Sequence, residues 1–164
     1  MFGTEKFSGQ GAETLRWLTE ECMPYIDQTF DTERRERWLM GYSLAGLFAL
    51  WAAYELDCFS GIICCSGSLW FQDWDIYVKE HTLHSKCKIY LSLGGREEKT
   101  KNKVMARVGD RTREQKKKLE KDPMAEQVFL EWNAGGHFAD EGKRLAKGIR
   151  YLFHISQSGV NIKE

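Results

Sequence analysis

The sequence has only two prolines among 164 residues, and none of its apolar runs approaches the roughly 18 residues that a membrane-spanning helix needs. Net charge is also absent, because 24 lysines and arginines balance 24 aspartates and glutamates. Without a surplus of positive charge, we expect no nucleic-acid partner and no binding to an anionic membrane. The first six residues lack the basic, apolar and small-residue order of a signal peptide, so we expect a cytoplasmic protein.

Cysteines at CxxC spacing are missing as well. The five cysteines form no CxxC pair and lie among apolar neighbours, which indicates reduced, buried thiols rather than disulfides or metal ligands. His81 and His84 are separated by two residues, but no carboxylate or thiol at matching spacing completes a metal site. We therefore expect neither a metal ion nor a cofactor.

The composition, 42% apolar and 29% charged, is typical of a soluble globular protein, and the length predicts a single domain over residues 1–164. Apolar periodicity predicts the following elements. Helices are expected over 12–26, 44–54, 102–121 and 145–153 with a shorter one in 70–78, and strands over 38–42, 61–65, 87–93 and 126–132. Pro24 is expected to bend or end the first helix.

The alternation of these elements predicts the fold class. The strand at 38–42 is expected to be buried, and the helix after it is apolar on nearly every face, which favours a helix enclosed by the protein. Strands separated by helices pair in parallel, and unbroken apolar strands suit a sheet that is covered on both faces. The sequence therefore predicts a three-layer α/β/α fold with a mostly parallel sheet of about four strands.

The most informative stretch reads GYSLAG and lies between a predicted strand and a predicted helix. A serine at such a junction, with small residues two before and two after it, is the pattern of a nucleophile elbow. Gly41 and Ala45 meet the size requirement, although the last place usually holds glycine, and Gly46 is expected to share that role. Ser43 then stands at a helix N-terminus, where the N–H of Leu44 is the natural first donor to an oxyanion.

A nucleophilic serine needs a base, and the base needs an acid that fixes its tautomer. With a nucleophile elbow, the order along the chain is serine, acid, histidine, each after its own strand. Glu97 and Glu98 follow the third predicted strand, and His137 follows the fourth in a glycine-flanked loop. Glu97 is preferred because it is nearer the strand end, with Glu98 as the alternative. The predicted catalytic residues are therefore Ser43, Glu97 and His137.

Four stretches carry a resemblance: GYSLAGLFAL around Ser43, SGSLW at 66–70, YLSLGGREEKT around Glu97 and WNAGGHF around His137. Together they resemble the esterase D-like family of α/β-hydrolases, which includes S-formylglutathione hydrolases and siderophore trilactone esterases. The likeness covers about residues 7–153. It implies an α/β-hydrolase fold with Ser43 as nucleophile, Glu97 as acid and His137 as base. It also implies a substrate pocket lined by Ser68 and Trp70.

This chain departs from the family pattern at its start. Family members carry roughly four strands before the elbow, and their second oxyanion donor comes from a loop in that region. Here we expect only the C-terminal four strands, with the elbow strand as an exposed edge, the kind of site that proteins usually cover. A homodimer that pairs these edges or the bared helix faces would cover it. A truncated gene or a genuine minimal form would account for the short start as well.

Two functions from different classes follow. The first is a serine carboxylesterase that cleaves small esters through an acyl-enzyme intermediate. The alternative is a non-catalytic or barely active remnant that serves as a binding or oligomerisation domain, because losing one oxyanion donor typically costs about 100- to 1,000-fold in rate. Acyl transfer to an alcohol shares the first half-reaction with hydrolysis and stays open.

Overall fold

The computed structural model describes residues 9–32 and 35–158, and the chain divides into two compact units, Met1–Arg35 and Glu36–Glu164. Residues 1–8, which include the opening where we expect no signal peptide, lie outside the described residues. Each unit is described by itself, and the single domain over 1–164 stays a prediction. The first unit contains two helices, α1 (Gly11–Trp17) and α2 (Met23–Phe30), joined by a π-helical turn (Leu18–Cys22).

The sequence predicts that Pro24 bends or ends the first helix, and in the structure the helix continues past it. Pro24 lies in the first turn of α2, which continues to Phe30, and Asp31 follows with a left-handed φ of 52°. Proline has no N–H to donate to the carbonyl one turn earlier, and its ring crowds that carbonyl. The turn before Pro24 has the wider π-helical hydrogen bonding, which accommodates the proline without ending the helix.

The second unit is built on a four-stranded sheet in the order β1-β2-β3-β4, with every neighbouring pair parallel. The strands are β1 (Trp38–Tyr42), β2 (Gly61–Cys65), β3 (Cys87–Gly94) and β4 (Ala125–Asn133). The helices between and after them are α3 (Leu44–Glu55), α4 (Trp74–Glu80), α5 (Val108–Leu119) and α6 (Glu141–Ser158). Because all four strands run the same way, the loops after β1, β3 and β4 leave the sheet at one edge.

The sheet lies between two helical layers, which confirms the predicted three-layer α/β/α fold. On one face α6 packs through Leu152 against Ile63, Cys65 and Tyr90, all of which are almost completely buried. This arrangement follows from strand alternation, since Ile63 and Cys65 are two residues apart and share a face. The described helices include none that is long and apolar enough to cross a membrane.

The other helical layer is tied together by polar side chains. The indole N–H of Trp74 on α4 donates to Gln115 on α5 (3.1 Å), and the amide of Gln115 donates to the hydroxyl of Tyr54 on α3 (3.0 Å). Gln115 and Tyr54 are both buried, so these bonds satisfy groups that water does not reach. They fix α3, which begins at the predicted nucleophile, to its neighbours in the layer.

The structure differs from the predictions in the burial of β1 and in the bounds of three helices, of which α6 begins at Glu141 rather than at residue 145. The strand β1 is not buried as expected, because it is the end strand of the sheet; only Gly41 is buried and Met40 is 49% exposed. The predicted helix 102–121 begins later, with a 3-10 turn (Met105–Arg107) before α5. The helix predicted in 70–78 begins only at Trp74, the first residue of α4. Trp70 therefore belongs to the preceding loop.

Candidate active site

Ser43 occupies the turn between the end of β1 and the start of α3, as the elbow pattern predicts. Its backbone has φ 59° and ψ −120°, a combination that residues with side chains rarely adopt. The Ser43 N–H donates to the carbonyl oxygen of Cys65 (3.0 Å), and the Ser68 N–H donates to the carbonyl oxygen of Ser43 (3.1 Å). These bonds to Cys65 at the end of β2 and to Ser68 beyond it hold the Ser43 turn at the carboxyl edge of the sheet.

Two glycines let β1 and α3 approach each other beneath this turn. A Cβ on Gly41 would lie 2.1 Å from the carbonyl oxygen of Ala45, and one on Gly46 would lie 3.0 Å from the carbonyl oxygen of Gly41. Ala45 is exposed, so its methyl group is tolerated where the elbow pattern usually has glycine. The close approach therefore depends on Gly41 and Gly46.

We expect Gly41→Ala to lower the free energy of unfolding by about 3 kcal/mol, because the added methyl overlaps backbone atoms rather than a movable side chain. Gly142→Ala in the first turn of α6 is the matched control. A Cβ there meets nothing within 4 Å and alanine is the better helix former, so no loss is expected. Urea unfolding measures both variants, and equal midpoints would contradict the steric argument.

The structure brings Ser43, His137 and Glu97 into one hydrogen-bonded chain. Nε2 of His137 lies 3.1 Å from Oγ of Ser43, and Nδ1 of His137 lies 2.7 Å from Oε2 of Glu97. In the tautomer with the proton on Nδ1, His137 donates to Glu97 and its Nε2 is free to accept the serine proton. The three residues come from the loops after β1, β4 and β3, so the parallel sheet assembles them across 94 residues of sequence.

Glu97, and not Glu98, is the carboxylate against His137. Its side chain is 3% exposed, and its second oxygen, Oε1, accepts hydrogen bonds from three donors besides the histidine bond on Oε2. The donors are Oγ of Ser66 (2.7 Å), the N–H of Gly94 (2.7 Å) and Nη1 of Arg144 (2.9 Å). Glu98 instead pairs with Arg113 (3.1 Å) on the surface.

The ionised form of Glu97 is favoured by its surroundings. Burial by itself raises the pKa of this carboxyl group, but the bonds from His137 and its other donors outweigh burial and hold the pKa below its usual value. A carboxyl group with a lowered folded-state pKa stabilises the fold above its usual pKa, and that contribution is lost as the pH falls through the folded-state pKa. Glu97 is therefore a carboxylate at neutral pH.

The loop that carries His137 is held by Tyr42, the last residue of β1. The Tyr42 hydroxyl donates to the carbonyl oxygen of His137 (2.6 Å), and the two rings lie 5.6 Å apart between centroids. Burial raises the pKa of Tyr42, so its hydroxyl remains protonated and able to donate. Gly135 gives the loop its turn with a left-handed φ of 91°.

Sequence reasoning missed Arg144 on α6, as it missed Ser66 and Tyr42, which also bond within this site. Its guanidinium group is 1% exposed and binds Glu97, which no charge count or motif reveals. One signal was present in the sequence: Arg144, Gly148 and Leu152 are spaced by four, and the other two are buried on the sheet-facing side of α6. A charged residue in register with a buried stripe predicts a buried partner.

Ser68 and Trp70 are predicted to bind the substrate, and Leu44 is predicted to donate to the oxyanion. Ser68 is 2% exposed, and its Oγ lies 3.3 Å from Oγ of Ser43. Trp70 contacts the ring of Phe71 (6.4 Å between centroids) in the loop that follows. Leu44 is the first residue of α3, where an N–H has no carbonyl one turn earlier to bind. The roles of Ser68, Trp70 and Leu44 in binding stay predictions.

The remaining histidines are His81 and His84, both between α4 and β3, and His154 on α6. His81 directly follows α4 and stacks on the ring of Tyr77 (4.0 Å between centroids), and His154 lies within α6. His81 and His84 belong to no cluster, because residues 9–32 and 35–158 contain no group of three or more potential metal ligands. Among the histidines of the described residues, His137 is the one bonded to both a serine and a carboxylate.

Comparison with known proteins gives a family and a fold. The family described as "Putative esterase" matches residues 5–141, whereas no curated protein matches the chain. The siderophore hydrolase EstA from Aspergillus nidulans is similar in structure, with a TM-score of 0.73 and 20% identity over 88% of this chain and 57% of that one. An IroE-like serine hydrolase from Shewanella oneidensis has a TM-score of 0.74 and 20% identity over 89% of this chain and 48% of that one.

At 20% identity these likenesses show a common fold. The two solved structures share the α/β-hydrolase fold with this chain. The chain spans about half the length of each of them. The match to the family covers the Ser43 elbow, the Glu97 turn and the His137 loop, because all three lie within residues 5–141.

Proposed function

The chain belongs to the "Putative esterase" family, and from this premise we propose that it is a serine esterase that hydrolyses small carboxylic esters. The observation that carries the proposal is the unbroken chain from Oγ of Ser43 through His137 to Oε2 of Glu97, with distances of 3.1 and 2.7 Å. A serine hydroxyl is a weak nucleophile unless an adjacent base accepts its proton, and this arrangement supplies the base and the acid that orients it.

In the proposed reaction Oγ of Ser43 attacks the ester carbonyl carbon while its proton passes to Nε2 of His137. Negative charge develops on the carbonyl oxygen, and the N–H of Leu44 donates to it beside the helix N-terminus. The tetrahedral intermediate collapses to an acyl-serine, and the histidine returns its proton to the departing alcohol. Water, deprotonated by His137, then attacks the acyl carbon, the bond from that carbon to Oγ of Ser43 breaks, and His137 returns the proton to Oγ, which releases the carboxylic acid and restores the serine.

Glu97 supports both half-reactions without losing its own charge. It holds the Nδ1 proton, which leaves Nε2 as the acceptor, and it faces the imidazolium that forms after proton transfer. The lowered pKa of Glu97 keeps it ionised through this cycle. The same geometry supports acyl transfer when an alcohol replaces water in the second step, so the reaction class is acyl transfer from small esters, with water as the proposed acceptor.

A fluorophosphonate probe tests this proposal because it labels only an activated serine. We expect the wild-type chain to be labelled at Ser43, as located by peptide mass spectrometry, and His137→Ala to lose the labelling. Ser85→Ala, in the turn between α4 and β3, is the control and is expected to be labelled like the wild type. Absence of labelling in the folded wild-type chain would refute the esterase and favour the non-catalytic binding or oligomerisation domain.

We also propose the homodimer that the sequence analysis predicts. Among residues 36–158, β1 stands at one end of the strand order and pairs with β2 alone. Met40 on that strand is 49% exposed, and unpaired edges of this kind promote association. The molar mass in solution tests the dimer, and a monodisperse monomer would refute it.

A further inference from the structure

Arg144 is one of the most deeply buried charged residues that the structure describes. A guanidinium group cannot lose its proton at neutral pH, so its burial is costly unless its donors find partners. Both terminal nitrogens of Arg144 do, whereas its buried Nε has no partner among the described residues. Nη1 donates to the Tyr42 hydroxyl (3.0 Å), to Oγ of Ser66 (2.8 Å) and to Oε1 of Glu97 (2.9 Å). Nη2 donates to the carbonyl oxygens of Ala134 (3.3 Å) and Gly136 (2.9 Å).

These contacts connect Glu97 to the loop that carries His137. Nη1 binds the carboxylate that follows β3, whereas Nη2 binds the carbonyl oxygens on both sides of Gly135, in the loop that carries His137. The bond between His137 and Glu97 (2.7 Å) is therefore held at both of its ends by one planar group. Nη1 also reaches Tyr42, which holds the His137 carbonyl oxygen from the other side.

The arrangement also fixes which way the carboxylate faces. Oε1 of Glu97 accepts from Arg144, from Ser66 and from the N–H of Gly94, so it has no capacity for a further bond. Rotation of the carboxylate out of its present plane would break these three bonds and the bond to His137 together. Oε2 is thus left facing Nδ1 of His137, and the Arg144 charge balances the buried carboxylate.

We propose that Arg144 is a positioning residue of this site, which acts through Glu97 and the His137 loop and does not touch the substrate. This inference rests on the proposed esterase function. Arginine suits the position because its planar fork reaches a carboxylate and two carbonyls together, whereas a lysine ammonium is a single point with three donors. The space for the fork depends on Gly94, where a Cβ would lie 2.7 Å from Nη2.

The first test separates positioning from stability. Fluorophosphonate labelling gives two quantities: the rate constant of labelling at Ser43 and the fraction labelled at completion. We expect Arg144→Met to lower the rate constant by about 100-fold, because a small misplacement of reacting groups costs about this much, and Arg144→Lys to lower it by about 10-fold. Arg150→Met, an exposed arginine on the same helix, is the matched control and should label like the wild type.

Each result of this test decides the proposal. A lower labelled fraction with an unchanged rate constant would mean that Arg144 only stabilises the fold, and it would overturn the inference. Arg144→Met removes the buried positive charge and leaves Glu97 without its counter-charge. This loss costs about 3–5 kcal/mol of stability and can unfold the chain. In that event Arg144→Lys decides, because a rate constant equal to that of the wild type would equally refute the proposal.

The second test does not depend on activity and so separates this inference from the esterase proposal. A histidine Nδ1 proton held by a carboxylate gives a strongly deshielded proton NMR signal, which His137→Ala identifies by its loss. We expect this signal in the wild type and in Arg150→Met, and its loss or shift in both Arg144 variants. An unlabelled wild type with this pattern would refute the esterase alone, whereas an unchanged signal in Arg144→Met or Arg144→Lys would refute the positioning role.

Discussion

Replacing Ser43 with alanine is expected to lower kcat/KM for p-nitrophenyl acetate by about 10,000-fold or more, the range found when a triad nucleophile is removed. The alanine side chain has no hydroxyl group, so no acyl-serine forms and His137 has no serine proton to accept. The residual rate would come from the oxyanion donor and from substrate binding alone. Initial rates with the ester, corrected for the spontaneous hydrolysis of the ester in buffer, measure the change.

The control for this prediction is Ser85→Ala, which removes the same atom from the turn between α4 and β3 and should leave the rate within about twofold of the wild type. Urea unfolding of both variants shows whether any loss reflects folding. A Ser43→Ala chain that hydrolyses the ester as fast as the wild type would exclude Ser43 as the nucleophile. A different side chain would then be the nucleophile.

The sheet was predictable from the sequence because each strand is a short apolar run between turn residues. The 61–65 and 87–93 predictions agree with β2 and β3 almost to the residue, since both strands are interior to the sheet and buried on both faces. The predicted burial of 38–42 is wrong because composition does not tell an interior strand from an end strand. The edge position itself followed from the family resemblance.

The helix boundaries were less predictable where local geometry decides them. Pro24 is expected to bend or end the first helix, but the π-helical turn before it accommodates the missing N–H and the helix continues through α2. The predicted start of α5 is too early, because Met105–Arg107 has helical composition but forms a 3-10 turn. Propensity does not distinguish these two kinds of helix.

The candidate site was predictable as far as chain order carries it. Ser43, Glu97 and His137 each follow a strand, and a parallel sheet brings such positions to one edge. Arg144 lies inside a helix, so strand order gives no information about it. Its contacts to Glu97 and to the His137 loop exist only when α6 packs back across the sheet, which is a property of the tertiary structure.

Replacing Glu97 with glutamine is expected to lower kcat by about 10,000-fold while the fold remains intact. The donors around Oε1 require an acceptor there, so the glutamine oxygen takes that place and its NH₂ group faces Nδ1 of His137. Nδ1 must then accept rather than donate, which moves the ring proton to Nε2. In that tautomer His137 cannot take the proton of Ser43. Steady-state kinetics with p-nitrophenyl acetate measure the loss.

Glu98→Gln is the matched control, because it makes the same chemical change one residue away in a side chain that pairs with Arg113 at the surface. We expect its kcat to stay near that of the wild type and its stability to fall by less than about 1 kcal/mol. Glu97→Gln should cost about 3 kcal/mol of stability, because Arg144 keeps an acceptor but loses its buried counter-charge.

Since the pKa of Glu97 is lowered in the folded state, its stabilising contribution exists above the usual carboxyl pKa and disappears in acid. The stability difference between wild type and Glu97→Gln should therefore narrow as the pH falls, and a difference that stays constant would contradict the ionised buried pair.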